Sequence, residues 1–328
     1  MAWREALTSL VVGLPFGAGL ATGVAAADAQ PVFRFADPAI VESSGLAFVD
    51  DLVVTVNDSG DEARVFAVDP TTGQTVGLTR WGDGEPEDIE ALAPGGDGTV
   101  WVGDIGDNTA DRDTISLTRV PIGSGERTVD PPAYRLRYPG GASDAEGLLA
   151  HPETGRLYVV TKGVFGAVVY AAPVELRSDA VNRLRQVGRA MPVVTDGAFL
   201  PDGDHVVLRD YRRAVVYDFP SFEAVGEVPL PEQRQGEGIA VADDGRVLVS
   251  SEGPRAAVHD VRLPAEAPVS APTDASAETP AEGPTVRSRE GSELPEEPPG
   301  DRDIGQWLLG TGLAVVALLV LIRALRPS

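Results

Sequence analysis

The 328-residue chain contains no cysteine, a single lysine (Lys162) and only three histidines, His151, His205 and His259. Without thiols there can be no disulfides, thiolate nucleophiles or cysteine-based metal sites. Export stays open, because a large core needs no covalent staple. The histidines lie far apart, and none pairs with another at metal-ligand spacing. A Gly-x-Ser-x-Gly stretch is also missing, so the nucleophile elbow of a Ser-His-Asp hydrolase has no counterpart. Positive charge is scarce: 27 basic against 50 acidic residues give a formal net charge of -23. Such a chain repels nucleic acid and anionic lipid and attracts cations or basic partners. Aromatic residues make up 6%, which is thin for a site that stacks sugars.

What the chain does have is a phrase that returns, a short acidic or glycine-containing step into a small apolar strand. It reads Glu42-Ser-Ser-Gly-Leu-Ala47, Glu87-Asp-Ile-Glu-Ala-Leu92 and Asp144-Ala-Glu-Gly-Leu-Leu149, then Thr195-Asp-Gly-Ala-Phe-Leu200 and Gly236-Glu-Gly-Ile-Ala240. A recurrence of roughly 40 to 57 residues with one small sheet per period marks a repeat fold. Between the repeats, β-branched and aromatic runs alternate with Gly, Asp, Asn and Pro turns, and no convincing helix interrupts them. The expected architecture is an all-β propeller of five four-stranded blades.

Blade one is expected at 44–49, 52–56, 63–68 and 75–81, and blade two at 89–93, 99–103, 114–120 and 134–138. Blade three is read at 146–150, 156–161, 167–172 and 184–188, and blade four at 197–200, 205–209, 214–219 and 224–230. Blade five has only 238–241, 246–250 and 257–263, one strand short. The orphan run Pro31-Val-Phe-Arg-Phe35 is expected to supply the missing strand, closing the ring and removing an exposed sheet edge. Six blades are the alternative, should the long loops of blade two hide another sheet. Trp81 and Trp101 are expected to pack between blades.

The first two strands of the blades are joined by turns such as Ala93-Pro-Gly-Gly-Asp-Gly98, His151-Pro-Glu-Thr-Gly155, Leu200-Pro-Asp-Gly-Asp204 and Ala242-Asp-Asp-Gly245. Here Gly supplies positive φ and Pro presets φ for a hairpin. Together with Gly238-Ile-Ala-Val-Ala-Asp-Asp-Gly-Arg-Val-Leu-Val249, and with Thr55-Val-Asn-Asp-Ser-Gly60 followed by Val65-Phe-Ala-Val68, the chain resembles NHL, gluconolactonase-like and phytase-like β-propellers. The resemblance spans the ectodomain, and its motifs are signatures of fold, so it carries over no catalytic residue.

In a four-stranded meander the start of each blade and the loop between its second and third strands lie on one face, and the Pro/Gly hairpins on the other. Blade starts bring Asp88, Glu90, Asp144, Glu146, Asp196 and Glu237. The loops bring Asn57-Asp-Ser-Gly-Asp61, Asp104-Ile-Gly-Asp-Asn108, Lys162, Arg209-Asp210 and Ser251-Glu252. All should meet at one mouth of the central channel, and three readings stand open. The acids can be structural, accepting backbone N–H groups from neighbouring blades. They can hold a hard cation, Ca2+ above all, with Asp88, Glu90, Asp104, Asp107, Asp144, Glu146, Glu237 and Glu252 as candidate ligands. The dense acidic loop from Asp104 to Asp113 does not have the EF-hand spacing. Or the acids can be catalytic. The phytase-like resemblance implies acidic calcium sites that gather phosphate; from their convergence at the mouth, Asp144, Glu146, Lys162 and Arg209 are the candidate catalytic residues, Lys162 and Arg209 to hold a phosphoryl oxygen. Five-bladed glycosidases instead place carboxylates in the channel mouth. No organic cofactor is implied.

The ends add an address. Arg4, offset by Glu5, precedes an apolar run from Leu7 to Val24 and small residues to Ala29, so residues 1–29 read as a secretory signal cleaved after Ala27 or Ala29. An uncleaved anchor is the alternative. Residues 30–263 form the propeller ectodomain. Residues 264–303 hold eight prolines, ten acids and three arginines with hardly a large apolar residue, a composition expected to stay an extended, unfolded stalk. Residues 304–322 are nineteen residues without a charge, enough to cross a hydrocarbon layer of ~30 Å. Asp301 and Asp303 precede them and Arg323 and Arg326 follow, so the tail 323–328 is expected in the cytoplasm. The expectation is a single-pass cell-membrane protein with an extracytoplasmic propeller. It would act as a binding module for an extracellular ligand or protein, possessing Ca2+ at its acidic mouth, with a phytase-like phosphoesterase as the alternative.

Overall fold

The structure, a computed structural model, describes residues 31–58, 60–82 and 86–264. The expected signal peptide, nearly all of the stalk, the membrane segment 304–322 and the tail lie outside the described residues. Among the described residues there is no helix, and hence none long and apolar enough to cross a membrane.

β1 (Pro31–Arg34) comes first, followed by blade one: β2 (Ser43–Val49), β3 (Leu52–Asn57), β4 (Arg64–Val68) and β5 (Thr75–Trp81). Blade two holds β6 (Ile89–Gly96), β7 (Thr99–Asp104), β8 (Ile115–Pro121) and β10 (Ala133–Arg137), with β9 (Gly125–Val129) between the last two in sequence. Blade three is β11 (Ala145–Ala150), β12 (Leu157–Thr161), β13 (Ala167–Ala171) and β15 (Arg185–Ala190), with β14 (Asn182–Arg183) preceding its last strand. Blade four is β16 (Asp196–Phe199), β17 (His205–Arg209), β18 (Arg213–Asp218) and β19 (Ala224–Pro229). Blade five is β20 (Gly236–Val241), β21 (Val247–Ser251) and β22 (Ala257–Val261). β1 pairs antiparallel with β22, so the orphan strand completes blade five as its outermost strand.

The blade-two loop does contain an unforeseen strand, but no sixth sheet. β9 joins the outer edge of blade one by parallel pairing with β5. Contact there is close: a Cβ on Gly77 would stand 1.9 Å from the Gly123 carbonyl oxygen. β14 adds in parallel to the edge of blade two through β10. Both additions cover edge strands that would otherwise leave backbone groups unpaired.

Each inner strand packs on the inner strands of the blades before and after it, and β20 returns to β2. Five apolar clusters fill the five interfaces between blades. Val54, Leu92 and Val102 represent the cluster between blades one and two, and Ile105, Leu148 and Val159 the next. Tyr158, Val169, Phe199 and Leu208 lie between blades three and four. Val207, Ile239 and Val249 lie between four and five, and Phe33, Phe35, Leu46, Phe66 and Leu248 close the ring. Trp81 and Trp101 pack against two of these clusters, as the sequence predicts.

Near the axis the strands approach too closely for a side chain. A Cβ on Gly45 would lie 2.6 Å from the Leu92 amide nitrogen, and one on Gly238 would lie 2.5 Å from Ser250 Oγ and 2.8 Å from Leu46 Cβ. Glycine stands at these positions because Gly45 meets the blade-two backbone and Gly238 meets Ser250 and Leu46 with no space for a Cβ.

Ring closure makes a testable demand. Phe35 is completely buried and packs edge-on to Phe33 at the interface between blades five and one. Phe35→Ala should cost about 3–5 kcal/mol of unfolding free energy, read from urea midpoints. A loss below about 1 kcal/mol would mean that the Phe35 side chain is not needed to hold the ring shut.

Candidate functional site

The repeated phrase places one residue per blade directly before the axial Gly or Ala: Ser44, Glu90, Glu146, Asp196 and Glu237. All five are buried. Just above them, backbone hydrogen bonds tie the loop after each second strand to the start of its blade. Asp58 N–H donates to Glu42 O, Ile105 to Asp88, Lys162 to Asp144 and Glu252 to Gln235, while in blade four Thr195 N–H donates to Arg209 O. Blade starts and these loops therefore share one face, as the meander geometry requires. The opposite end of the channel is a cavity of about 390 Å³ lined mainly by apolar groups, among them Leu46, Leu92, Leu148, Trp101 and Phe199.

The five ring positions are stabilised in different ways. Glu90 Oε2 accepts from Ser44 Oγ at 2.9 Å, so the one hydroxyl in the ring serves its acidic neighbour. Glu146 pairs with Lys162 Nζ, which also stands 5.8 Å from the Tyr211 ring centre. Asp196 accepts the N–H groups of Gly197 (2.7 Å) and Ile239 (2.8 Å), fastening blade four to blade five. Glu237 Oε2 is buried and has no hydrogen-bond partner.

Burial of so many acids shows in their protonation. Burial, then the charges of Glu146, Asp58 and Asp88, push Glu90 far above the usual carboxylate range. Burial also raises Glu146 despite its pairing with Lys162, whose own pKa rises because Glu146 outweighs desolvation. Glu237 is pushed up to about 7 by burial, against the pull of Lys162 and Arg209. Asp88 is raised to about 6 by burial and by the charges of Asp58 and Asp144. Glu252 moves up for the same kind of reason, burial first and then Asp58 and Glu42. Asp196 is also raised by burial, with its backbone donors opposing.

The predicted ligands thus divide. Asp88 and Glu90 meet Asp58: one carboxylate oxygen from each lies within 4.8 Å of the others, a group that could hold a metal ion. Asp58 belongs to the Asn57–Asp61 loop singled out in the sequence, but the metal candidates drawn from that sequence do not include it. Its spatial nearness to Glu90 is set by packing of blade one on blade two, which no local spacing reveals. Glu146, Glu237 and Glu252 belong to the same mouth, with Lys162 and Tyr211 among them. Glu252 accepts from Gln235 Nε2 at 2.7 Å.

Three other acids are engaged in shaping loops. Asp104 accepts the N–H groups of Glu87 and Asp88 and pairs with Arg112 at 2.8 Å. Asp107 caps the N–H groups of Asp111 and Arg112. Asp144 Oδ1 accepts the Asp107 N–H across the blade boundary. Arg209 is fully buried, and its guanidinium donates to the carbonyls of Gly238 (3.0 Å), Ser250 (3.1 Å) and Asp210, and to Gln233 Oε1. It is a cation holding blades four and five together, and burial lowers its pKa to about 10. His151 belongs to the hairpin face, where its Nδ1 accepts the N–H groups of Glu153 and Thr154.

No protein-family model and no curated protein matches the chain. Among solved structures, a gluconolactonase from Xanthomonas campestris aligns over 75% of this chain and 99% of its own, with 16% identity and a TM-score of 0.45. A streptogramin B lyase aligns over 71% and 72%, with 12% identity and a TM-score of 0.38. The Dos1 propeller aligns over 64% and 52%, with 14% identity and a TM-score of 0.35. The five-bladed propeller is read from this chain's own five sheets and the packing of their inner strands, and the site from its own residues.

A buried carboxyl whose pKa is raised favours the folded state when protonated. That advantage is complete below the unfolded value near 4.5 and is lost as pH climbs through the folded value, about 7 for Glu237. In chelator, Glu237→Gln should therefore gain stability over the parent by on the order of 2–3 kcal/mol between pH 4.5 and pH 8. Parallel stability profiles for the two proteins would contradict this placement of Glu237.

Proposed function

We propose that the chain is a membrane-tethered, extracytoplasmic five-bladed propeller that acts as a binding module, with Ca2+ held at its acidic mouth. The observation that carries this reading is the convergence of Asp58, Asp88 and Glu90 within 4.8 Å. Three carboxylate oxygens, with no imidazole or thiolate among them, suit a hard cation that prefers oxygen ligands. The surroundings support it. The mouth gathers more acids than Lys162, Arg112 and the inward-turned Arg209 can balance, and a divalent cation supplies the missing charge.

The phosphoester reading is the less favoured. It asks for two cations facing a phosphoryl group, but the Arg209 donors are engaged by carbonyls and Gln233. Lys162 remains, paired with Glu146. Supporting the orientation of the module, the chain leaves blade five at Leu263 and Pro264, beside Leu200, Asp202 and His205 of the blade-four hairpin. The mouth therefore opens on the face opposite the point where the chain leaves the propeller.

Calorimetric titration of the full-length chain with CaCl2 should reveal a saturable site. At a free concentration ~100 times Kd, the cation should raise unfolding free energy by about 2.7 kcal/mol. Asp88→Asn should weaken binding by about tenfold or more, since a carboxylate ligand becomes neutral. An unchanged melting temperature on moving from chelator to Ca2+ would overturn the cation site. Turnover of phosphomonoesters that Asp144→Ala and Glu146→Ala abolish would overturn the choice of a binding module over an enzyme.

A further inference from the structure

The side of the mouth formed by blade three carries a feature the cation site does not use. Between β12 and β13 the chain makes a tight turn, with Gly166 N–H donating to Gly163 O at 3.1 Å. Gly163 cannot carry a side chain, since its Cβ would lie 2.3 Å from Gly166 O, and Gly166 sits at φ +129°. The Gly163 carbonyl also accepts the Val193 N–H, which stitches the turn to the segment entering blade four. At its tip stand Val164, 70% exposed, and Phe165, fully exposed. Turn tips ordinarily carry Gly, Asn, Asp, Ser or Pro. Two large apolar groups held in water on a braced turn mark a contact surface.

The turn begins at Lys162, whose N–H is bonded to Asp144 O and whose Nζ pairs with Glu146 in the ring. In the same mouth, Glu237 is 3% exposed and its Oε2 lacks a partner. Beside Glu252 a depression of about 280 Å³ opens between blades five and one, lined by Val41, Glu42, Arg234, Gln235 and Glu252. Val41 is itself 40% exposed. The mouth thus combines an unpaired buried acceptor, acidic walls and apolar groups at two edges.

We propose that this mouth takes a polypeptide segment bearing a lysine or arginine beside apolar residues. The basic side chain enters toward Glu237 and Glu252, and the apolar neighbour covers Val164 and Phe165. Charge complementarity selects this occupant, because an anionic membrane is repelled by the same carboxylates. The inference rests on the reading of this face as a binding module. It uses carboxylates other than Asp58, Asp88 and Glu90, so it does not depend on Ca2+ being bound.

The test is fluorescence anisotropy of the full-length chain with a labelled peptide of sequence Gly-Lys-Phe-Arg-Leu-Gly, with and without chelator. One control peptide replaces both basic residues by Glu, and a second replaces Phe and Leu by Ser. The parent peptide should bind, more weakly as salt rises, and both controls should bind at least about tenfold more weakly. Phe165→Ser, at an exposed position that leaves the core intact, and Glu252→Gln should each weaken binding by a similar factor. Equal binding of the acidic control, or no effect of Phe165→Ser, would overturn the proposal. So would partition onto phosphatidylcholine vesicles, or self-association, that Phe165→Ser abolishes while peptide binding is absent. Loss of the calcium titration with peptide binding retained would remove the cation site alone. Loss of peptide binding with the titration retained would remove this inference alone.

Discussion

Five strands can crowd around one axis only where the residue facing the neighbouring strand has almost no side chain. Gly45, Ala91, Gly147, Gly197 and Gly238 meet that demand, and the spacing at Gly45 and Gly238 leaves no room for a Cβ. The residue just before each of them belongs to the ring around the channel, where Ser44 reaches Glu90 and Asp196 accepts the Ile239 N–H across blade boundaries. Four of those five residues are acids. The close approach that closes the ring is thus also what gathers carboxylates in a space with little water.

The consequence is asymmetry. A symmetric ring of like charges in a low-dielectric channel would be very costly, and each blade offsets it with the chemistry at hand. Blade one substitutes a hydroxyl, blade three adds the only lysine, and blade four turns its shorter Asp onto two backbone amides. Blade five keeps a glutamate with one oxygen unpartnered. Acids of the mouth gather in two places. One lies where blades one and two meet, and the other lies between blades three and five. The first has the donor set of a hard cation, and the second is bordered by exposed apolar residues.

The two faces of the propeller are chemically unlike. Carboxylates occupy the mouth, whereas the far end of the channel is lined by leucines, Phe199 and Trp101. The contrast follows from strand direction: four of the five inner strands carry an acid near their start and the first carries Ser44, and all run on into apolar residues toward the hairpin face. The chain enters at β1 and leaves after β22 on blade five, and pairing these two strands joins the ends of the ring.

Much of this was legible without coordinates. The returning phrase disclosed the number of blades and the face that carries acids, because a repeat fold writes its period into local hydrophobic and turn patterns. Even the closing strand could be inferred from the missing partner in blade five. The destination of β9 could not, since its parallel pairing with β5 depends on a loop folding back across a blade boundary. Nor could the roles of individual acids. Asp104, Asp107 and Asp196 look like Asp88 in sequence, but three-dimensional packing gives them backbone donors, whereas Asp88 finds Asp58 and Glu90. Arg209 seemed free to meet a ligand until burial showed its donors tied to blade five. Sequence by itself determined which side chains reach the mouth, because strand alternation and turn chemistry are local. Only the tertiary structure decided which of them are satisfied there, because hydrogen-bond partners and counter-charges come from neighbouring blades tens of residues away.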